Sequence, residues 1–324
     1  MTSRRRFLFA SALGALAPPF AFAQARPVKI GMLAPRPLME SYFAPIVVQR
    51  LGELGYKDGA GAILEYRNTD GHRDRYARFA RELIELKCDI VITIGQEAAV
   101  HALHAAGARM PVIFLALEYD PLEAGVVKSL ARPDGNTTGV YTSQAQLSAK
   151  RLQLLHEVLP AARRFLVFSD SGSRGQLSAV RKAAGTMAVQ LTEIEFSKPP
   201  YAYAAAFEAG RKAKVDGYVG LSSAGLASGE KEIAAQLAKH RLVGIGSTLR
   251  VTDSGYLVSM TADPVRVSRR VADLAARVLK GARPADIPVE QADEFELVIF
   301  TKTARALGIK VPESLLARAT RIVS

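Results

Sequence analysis

The chain has very little cysteine and no tryptophan. Cys88 is the only cysteine among 324 residues. One cysteine cannot form an intrachain disulfide, so stability must come from a buried apolar core. An apolar content of 49% is ample for such a core, and the length indicates two domains. Because no cysteine lies near the start of the chain, we also expect no lipid anchor.

Long apolar runs are absent except near the first residue. There, Arg4 to Arg6 precede an apolar stretch that ends at Phe22, followed by two small-residue cleavage sites ending at Ala23 and Ala25. The stretch is too short for a membrane span, and the three parts together predict a signal peptide over residues 1–25. Its arginines followed by Phe7 and Leu8 resemble a twin-arginine export signal, and a general secretory signal is the alternative. Either signal predicts export, and without a lipid anchor we expect a protein that diffuses in a periplasm.

Basic residues outnumber acidic residues, and the chain has a formal net charge of +12. Removing residues 1–25 takes away three arginines and no acid, which leaves 40 basic and 31 acidic residues. The remaining basic residues are scattered, and the pairs Arg163-Arg164 and Arg269-Arg270 are not interleaved with aromatic residues. This distribution is typical of a solvated surface, so we expect no nucleic-acid partner.

Motifs for catalysis and cofactors are also lacking. No G-x-S-x-G or phosphate-binding loop occurs, and Gly244-Ile245-Gly246-Ser247 lacks the third glycine of a dinucleotide loop. His101 and His104 could share a metal, but no cysteine or carboxylate follows at ligand spacing, which favours ordinary helix-surface histidines. We therefore expect no cofactor, no metal and no catalytic residue.

The chain does contain a regular alternation of short apolar runs with amphipathic stretches of helical length. Val28 to Leu33 reads as a first strand, Arg75 to Leu86 as a helix and Phe165 to Phe168 as a later strand. This alternation is typical of βα repeats around parallel sheets. It predicts two similar α/β halves, and the last 70 residues are too few for a third core, so they should complete both sheets.

Small polar residues follow the predicted strands. The groups are Gly95 to Glu97, Glu118 to Asp120, Ser169 to Ser173, Ser222-Ser223 and Ser247 to Arg250. Ligands of parallel α/β sheets bind beyond the carboxyl ends of the strands. The pattern therefore predicts a cleft between two facing rims, although helix capping explains any single position equally well.

Four segments are similar to a known family. They are Arg132–Val140, Lys150–Pro160, Leu279–Gln291 and Phe295–Ala319. These segments resemble the ABC-transporter substrate-binding proteins of the tryptophan/tyrosine-binding type. The resemblance implies a type I periplasmic-binding fold, which is an α/β architecture of two Rossmann-like lobes with parallel sheets, three crossovers and a ligand enclosed between the lobes.

The resemblance also implies lobe boundaries. Lobe 1 would comprise residues 26–119 and 258–290, and lobe 2 residues 120–257 and 291–324. The crossovers would lie near Glu118 to Asp120, Arg250 to Met260 and Pro288 to Asp293.

Ten residues of the predicted rims are candidate ligand contacts. They are Pro35, Gln96, Glu97, Asp120, Asp170, Ser171, Ser173, Ser222, Ser223 and Arg250. For an amino-acid ligand, Ser171 and Ser173 could donate to the carboxylate, and Asp120 or Glu97 could hold the ammonium. Where many members of the family have Asn-Pro and Ser-Tyr-Gly, this chain has Asp170-Ser171 and Ser259-Met260-Thr261. Recognition of an aromatic ring stays open, with Tyr42, Tyr119 and Tyr256 as the available stacking partners.

These observations favour a periplasmic solute-binding protein of an ABC importer. We expect a monomer that binds a small polar molecule, either an amino acid or a related carboxylate, and delivers it to a permease and ATPase in the inner membrane. The alternatives are a ligand sensor that presents its closed form to a membrane receptor and an exported enzyme on the same fold, which would need Glu97 or Asp120 as its acid.

Overall fold

The structure is a computed structural model that describes residues 26–117, 119–133, 135–248 and 255–324. The predicted signal peptide and Arg250 lie outside the described residues. Within those ranges the strands are β1 (Val28–Ala34), β2 (Lys57–Asp58), β3 (Gly61–Asn68), β4 (Ile90–Gly95), β5 (Val112–Ala116), β6 (Thr137–Thr142), β7 (Arg164–Ser169), β8 (Gln190–Glu195), β9 (Gly217–Val219), β10 (Val243–Gly246), β11 (Val258–Ala262), β12 (Glu290–Ala292), β13 (Phe295–Phe300) and β14 (Arg321–Val323).

Helices alternate with the strands along most of the chain. They are α1 (Ala44–Glu53), α2 (Tyr76–Glu85), α3 (Glu97–Ala105), α4 (Gln144–Val158), α5 (Arg174–Thr186), α6 (Tyr203–Lys212), α7 (Ala224–Ser228), α8 (Glu230–His240), α9 (Pro264–Leu279), α10 (Thr301–Leu307) and α11 (Glu313–Arg318). Short 3-10 turns occupy Leu38–Glu40, Arg73–Arg75 and Pro284–Asp286. Among the described helices, none is both long and apolar enough to cross a bilayer.

Two seven-stranded sheets organise the molecule and confirm the predicted α/β class. The first has the order β12-β6-β5-β4-β1-β3-β2, and all its pairings are parallel. The second has the order β14-β13-β11-β10-β9-β7-β8, in which β11 and β13 run antiparallel. Their central strands are buried on both faces, as β4 shows along its whole length. Such strands read as continuous apolar runs, which is why the sequence pattern located them.

Each sheet has its own core. On the first sheet, α1 and α9 pack with β1 and β4 in one apolar cluster, and α2 and α3 fill a second cluster with β5. A third cluster joins α4, α5, α6 and α8 to the second sheet. The two sheets with their helices are therefore two lobes, which we call lobe 1 and lobe 2.

The chain crosses between the lobes three times within the described residues. The crossings lie between β6 and α4, between β11 and α9, and between β12 and β13. The third agrees with the crossing predicted near Pro288 to Asp293. The first two crossings come after β6 and β11, whereas the boundaries predicted from the sequence placed them before these strands.

Two strands account for this difference. The predicted boundary placed Thr137–Thr142 in lobe 2, but β6 pairs with β5 and β12 in lobe 1, and Thr138 donates to the carbonyl of Ile287 at 2.8 Å. The boundary also placed residues 258–262 in lobe 1, but β11 pairs with β10 and β13 in lobe 2. Both strands stand next to a crossover, where the order of apolar runs does not reveal which sheet receives the strand.

Close packing at β6 generates a stability prediction. A Cβ added to Gly139 would lie 2.2 Å from the carbonyl oxygen of Phe114 and 2.6 Å from its ring. Because a strand inside a sheet cannot shift freely, we expect Gly139→Ala to lower the free energy of unfolding by roughly 2–3 kcal/mol. Gly185 lies in α5 with nothing within 4 Å of its added Cβ. Gly185→Ala is the matched control, and thermal unfolding should show no loss for it. Equal melting temperatures for the two variants would contradict this packing.

Candidate ligand-binding cleft

The carboxyl ends of the strands in both sheets border one cleft of about 480 Å³. Lobe 1 contributes the segment after β1, the turn after β3, the end of β4 and Leu117 after β5. Lobe 2 contributes Ser222 after β9, Ser247 and Thr248 after β10, and the junction of α7 and α8. The cleft is also lined beside two of the crossovers, by Gln144, Thr261, Ala262 and Pro264. The volume is in the range of a small-molecule site.

The segment after β1 forms much of the lobe 1 wall. Seven residues of this segment line the cleft, namely Pro35, Arg36, Pro37, Glu40, Ser41, Tyr42 and Phe43. Gly95, with a φ of +104°, lies against the ring of Pro35, where an added Cβ would approach Pro35 Cγ to 3.3 Å. The turn after β3 is tied to this segment because the amide of Gly71 donates to the carbonyl of Pro35 at 2.9 Å. A glycine at 95 therefore allows the first strand's loop to sit close to the fourth strand.

Arg36 is the notable charge of the lobe 1 wall. Its carbonyl accepts a 2.7 Å hydrogen bond from the Tyr66 hydroxyl, which fixes the backbone. Its guanidinium makes no hydrogen bond or ion pair with any residue that the structure describes. In contrast, Asp70 on the same wall forms an ion pair with Arg75 at 2.9 Å. Arg36 is thus a cation in the cleft that can accept an anionic group of a ligand.

Glu230 is the buried carboxylate of the lobe 2 wall. It is 6% exposed, lines the cleft and stands at the first position of α8. The Tyr256 hydroxyl donates to its Oε2 at 2.8 Å, and burial together with this neighbouring charge raises the pKa of Tyr256 well above its usual value. The helix N-terminus favours the negative charge of Glu230. A carboxylate held in this way can receive a cationic group from a ligand.

A second cavity of about 500 Å³ also borders both lobes and shares Gln144 with the first. Asp120 and Glu123 line it from lobe 1, and the N-terminal turns of α4 and α5 line it from the other side. Asp120 Oδ1 accepts from the amides of Leu122 and Glu123 at 2.8 and 3.1 Å. The space between the lobes therefore has two compartments that meet at Gln144.

Of the ten predicted contacts, Pro35 and Ser222 line the first cavity and Asp120 lines the second. Gln96 is buried as the residue that caps α3, and Glu97 forms an ion pair with Arg73. Neither Gln96 nor Glu97 lines a described cavity, so the structure does not bring them together with Ser222.

Three more predicted contacts meet in a buried network rather than at the cleft surface. Asp170 Oδ2 accepts from the hydroxyls of Ser223 at 2.5 Å and Tyr201 at 3.0 Å, and the Ser173 hydroxyl lies 3.1 Å from its Oδ1. Burial and the charge of Asp170 raise the pKa of Tyr201 to about 12, so this phenol stays a donor. Ser171, by contrast, is exposed. A ligand role for these residues stays a prediction.

The sequence analysis missed Arg36 and Glu230. Arg36 is the second residue after the first strand, so the strand-end rule that selected Pro35 applied to it equally well. Glu230 follows the Gly225 to Gly229 segment, which reads as a helix cap. The acidic residue in the first turn of α8 was the signal available for Glu230.

Comparison with known proteins agrees with this architecture. Residues 46–323 match the ABC transporter substrate binding protein family. The chain belongs to this family of substrate-binding proteins. A tyrosine-binding protein from Clostridioides difficile is 27% identical over 267 residues, which are 81% of this chain and 75% of that protein.

Solved structures of such proteins share the fold. The ABC domain from Streptococcus pneumonia in complex with L-Trp is 25% identical, with a TM-score of 0.79 over 92% of this chain and 100% of the other. A ligand-free, open substrate-binding protein from Clostridium difficile is 19% identical, with a TM-score of 0.71 over 92% of this chain and 99% of the other. The predicted type I periplasmic-binding fold and the resemblance to the tryptophan/tyrosine-binding type are confirmed.

The Asp170 network generates a second prediction. Replacing Asp170 with alanine leaves the buried hydroxyl of Ser223 and that of Tyr201 without their acceptor. We expect urea unfolding of Asp170→Ala to show a loss of roughly 3 kcal/mol, since each unpaired buried donor costs about 1–3 kcal/mol. Ser171→Ala, at the adjacent exposed position, is the control and should unfold like the parent protein. If both variants kept the parental stability, Asp170 would not be a structural acceptor.

Proposed function

We propose that this protein binds a zwitterionic amino acid between its lobes and delivers it, chemically unchanged, to an ABC importer. The observation that carries the proposal is a cleft with Arg36 on lobe 1 and the buried carboxylate of Glu230 on lobe 2. An α-amino acid carries the two complementary charges, and its carboxylate and ammonium can engage opposite walls. The cleft volume suits a ligand of that size.

The side chain of the ligand is proposed to be aromatic. Tyr42 and Phe43 line the same cleft as Arg36, and their rings are aromatic groups available for stacking. The names of two relatives support this choice, because one is a tyrosine-binding protein and another is solved in complex with L-Trp.

Ligand binding is proposed to close the lobes. A ligand that contacts Arg36 and Glu230 binds the closed arrangement better than the open one, because only closure brings both walls to it. Three crossovers are the segments that can absorb such a hinge motion. The closed monomer is then the form that a permease and ATPase of the inner membrane would receive.

A titration with matched variants tests this assignment. We expect isothermal titration calorimetry to detect binding of L-tryptophan or L-tyrosine, and Glu230→Gln to weaken it about tenfold or more because a charge-assisted hydrogen bond is lost. Glu232→Gln, at an exposed position in the first turn of the same helix, is the control and should change affinity less than twofold. Arg36→Ala should also weaken binding, with exposed Arg81→Ala as its control.

A ligand analogue separates the two charges. Indole-3-propionate has the ring and carboxylate of tryptophan but no ammonium. Its affinity should respond to Arg36→Ala and not to Glu230→Gln. Binding of sugars alone, or an equal effect of Glu230→Gln on both compounds, would contradict the amino-acid assignment. Recovery of chemically altered ligand after incubation would contradict a pure binding function.

Export is proposed to place the protein in the periplasm through a twin-arginine signal. The support is the sequence from Arg4 to Phe22 with its small-residue cleavage sites. Replacing Arg4 and Arg5 with lysine should leave the full-length precursor in the cytoplasm, as fractionation and immunoblotting would show. Arg163→Lys with Arg164→Lys in the mature chain is the control. Normal export of the Arg4 and Arg5 variant would favour the general secretory route.

A further inference from the structure

Arg151 is fully buried in α4 of lobe 2 and binds four acceptors. Its Nε donates to the carbonyl of Met260 at 2.9 Å. Its Nη1 donates to Ser148 Oγ at 3.0 Å and to the carbonyl of Gly220 at 3.3 Å, and its Nη2 donates to Gln144 Oε1 at 3.2 Å. The planar guanidinium thus reaches the N-terminal part of α4, strand β11 and the loop that follows β9.

Within the part of the chain that the structure describes, the charge of Arg151 has no contacting partner of opposite sign. Among the residues that the structure describes, no carboxylate forms an ion pair with it, and all four acceptors are neutral. Burial lowers the pKa of Arg151 to about 10, an effect that the negative charge of Glu230 opposes. It stays cationic at neutral pH at a large desolvation cost. An apolar side chain would fill this position without that cost, so packing alone does not account for an arginine.

Three of the four acceptors of Arg151 lie at or next to the cleft. Gln144 lines both cavities at the crossover between β6 and α4. Met260 lies in β11, two residues before that strand ends, and Thr261 and Ala262 line the cleft. Gly220 follows β9, two residues before the cleft-lining Ser222. One side chain is therefore connected to two crossovers and to one strand-end loop.

A relay of hydrogen bonds extends this connection to Ser222. The Ser148 hydroxyl, which accepts from Arg151, donates to Gln176 Oε1 at 3.0 Å. Gln176 in turn holds the backbone of Ser222 on both sides, because Oε1 accepts from its amide at 2.8 Å and Nε2 donates to its carbonyl at 2.5 Å. The position of the Ser222 loop thus depends on α4 and α5 through buried polar groups.

We propose that Arg151 is a positioning residue of the ligand cleft, which fixes Gln144 directly and Ser222 through Ser148 and Gln176, and which anchors two crossovers to lobe 2. A lysine cannot replace it fully, because an ammonium lacks the planar fork that serves four acceptors in three directions. The binding part of this inference rests on the proposed function, and the positional part does not.

Hydrogen exchange followed by NMR tests the positional part without a ligand. In Arg151→Met, we expect the Ser222 amide to exchange at least fivefold faster and the side-chain amide signals of Gln144 to shift. The Val167 amide, in the core strand β7, should keep its exchange rate, which distinguishes a local loss from global destabilisation. Arg181→Met, at an exposed arginine paired with Glu193, is the matched control and should change neither signal.

Gln176→Leu distinguishes the relay to Ser222 from the direct hydrogen bond between Arg151 and Gln144. It should speed exchange at Ser222 and leave the Gln144 signals unchanged. A folded Arg151→Met protein with both signals unchanged would overturn the proposal. If Arg151→Met does not fold, Arg151→Lys takes its place with smaller expected changes at both sites, and unchanged signals there would overturn it equally.

Calorimetry with L-tryptophan as the probe tests the binding part. We expect at least tenfold weaker binding for Arg151→Met or Arg151→Lys and parental affinity for Arg181→Met. Parental affinity in both Arg151 variants would overturn the role in binding. Failure of the parent protein to bind L-tryptophan or L-tyrosine would contradict the proposed function, whereas the exchange experiment would still decide the positional role.

Discussion

The structure depends on the three crossings of the chain between two sheets. Because β6, β11 and β12 each end at a crossover, the carboxyl ends of both sets of strands face one another across the same space. Strand ends in parallel sheets expose loops and helix N-termini, which can bind polar ligands. Two such edges facing each other produce a cleft with contributions from both lobes, and the crossovers form part of its wall through Gln144 and Pro264.

Most polar groups at these edges bind other protein groups. Asp170 is surrounded by Ser173, Ser223 and Tyr201. These hydrogen bonds satisfy buried donors that would otherwise destabilise lobe 2, and they hold the loops on which Ser222 and α7 lie. Arg36 and Glu230 line the cleft from opposite lobes and carry the opposite charges that the proposed function uses.

The sequence predicted the fold far better than the site. Strands such as Val28–Ala34 and Ile90–Gly95 are mostly apolar and mostly buried, so local pattern sufficed to locate them. The edge strands β2 and β14 have two and three residues, too few for any pattern. The sequence analysis selected Asp170, an acid after a strand end, and missed Glu230, an acid at a helix start. An acid that accepts hydrogen bonds inside a lobe differs from an acid of the cleft wall only in where its side chain points. That orientation depends on tertiary packing, which the sequence pattern does not give.

The placement of the two charges also bears on how binding and closure are coupled. A ligand shifts a conformational equilibrium only by the difference between its affinities for the two states. If both charged residues belonged to one lobe, an amino acid would bind the open form almost as well as the closed form. In the proposed function, with Arg36 on lobe 1 and Glu230 on lobe 2, each charge of the ligand would find its partner on a different lobe. A zwitterion bound in this way would stabilise closure itself, whereas a compound with one charge would bind one wall and leave the hinge equilibrium nearly unchanged.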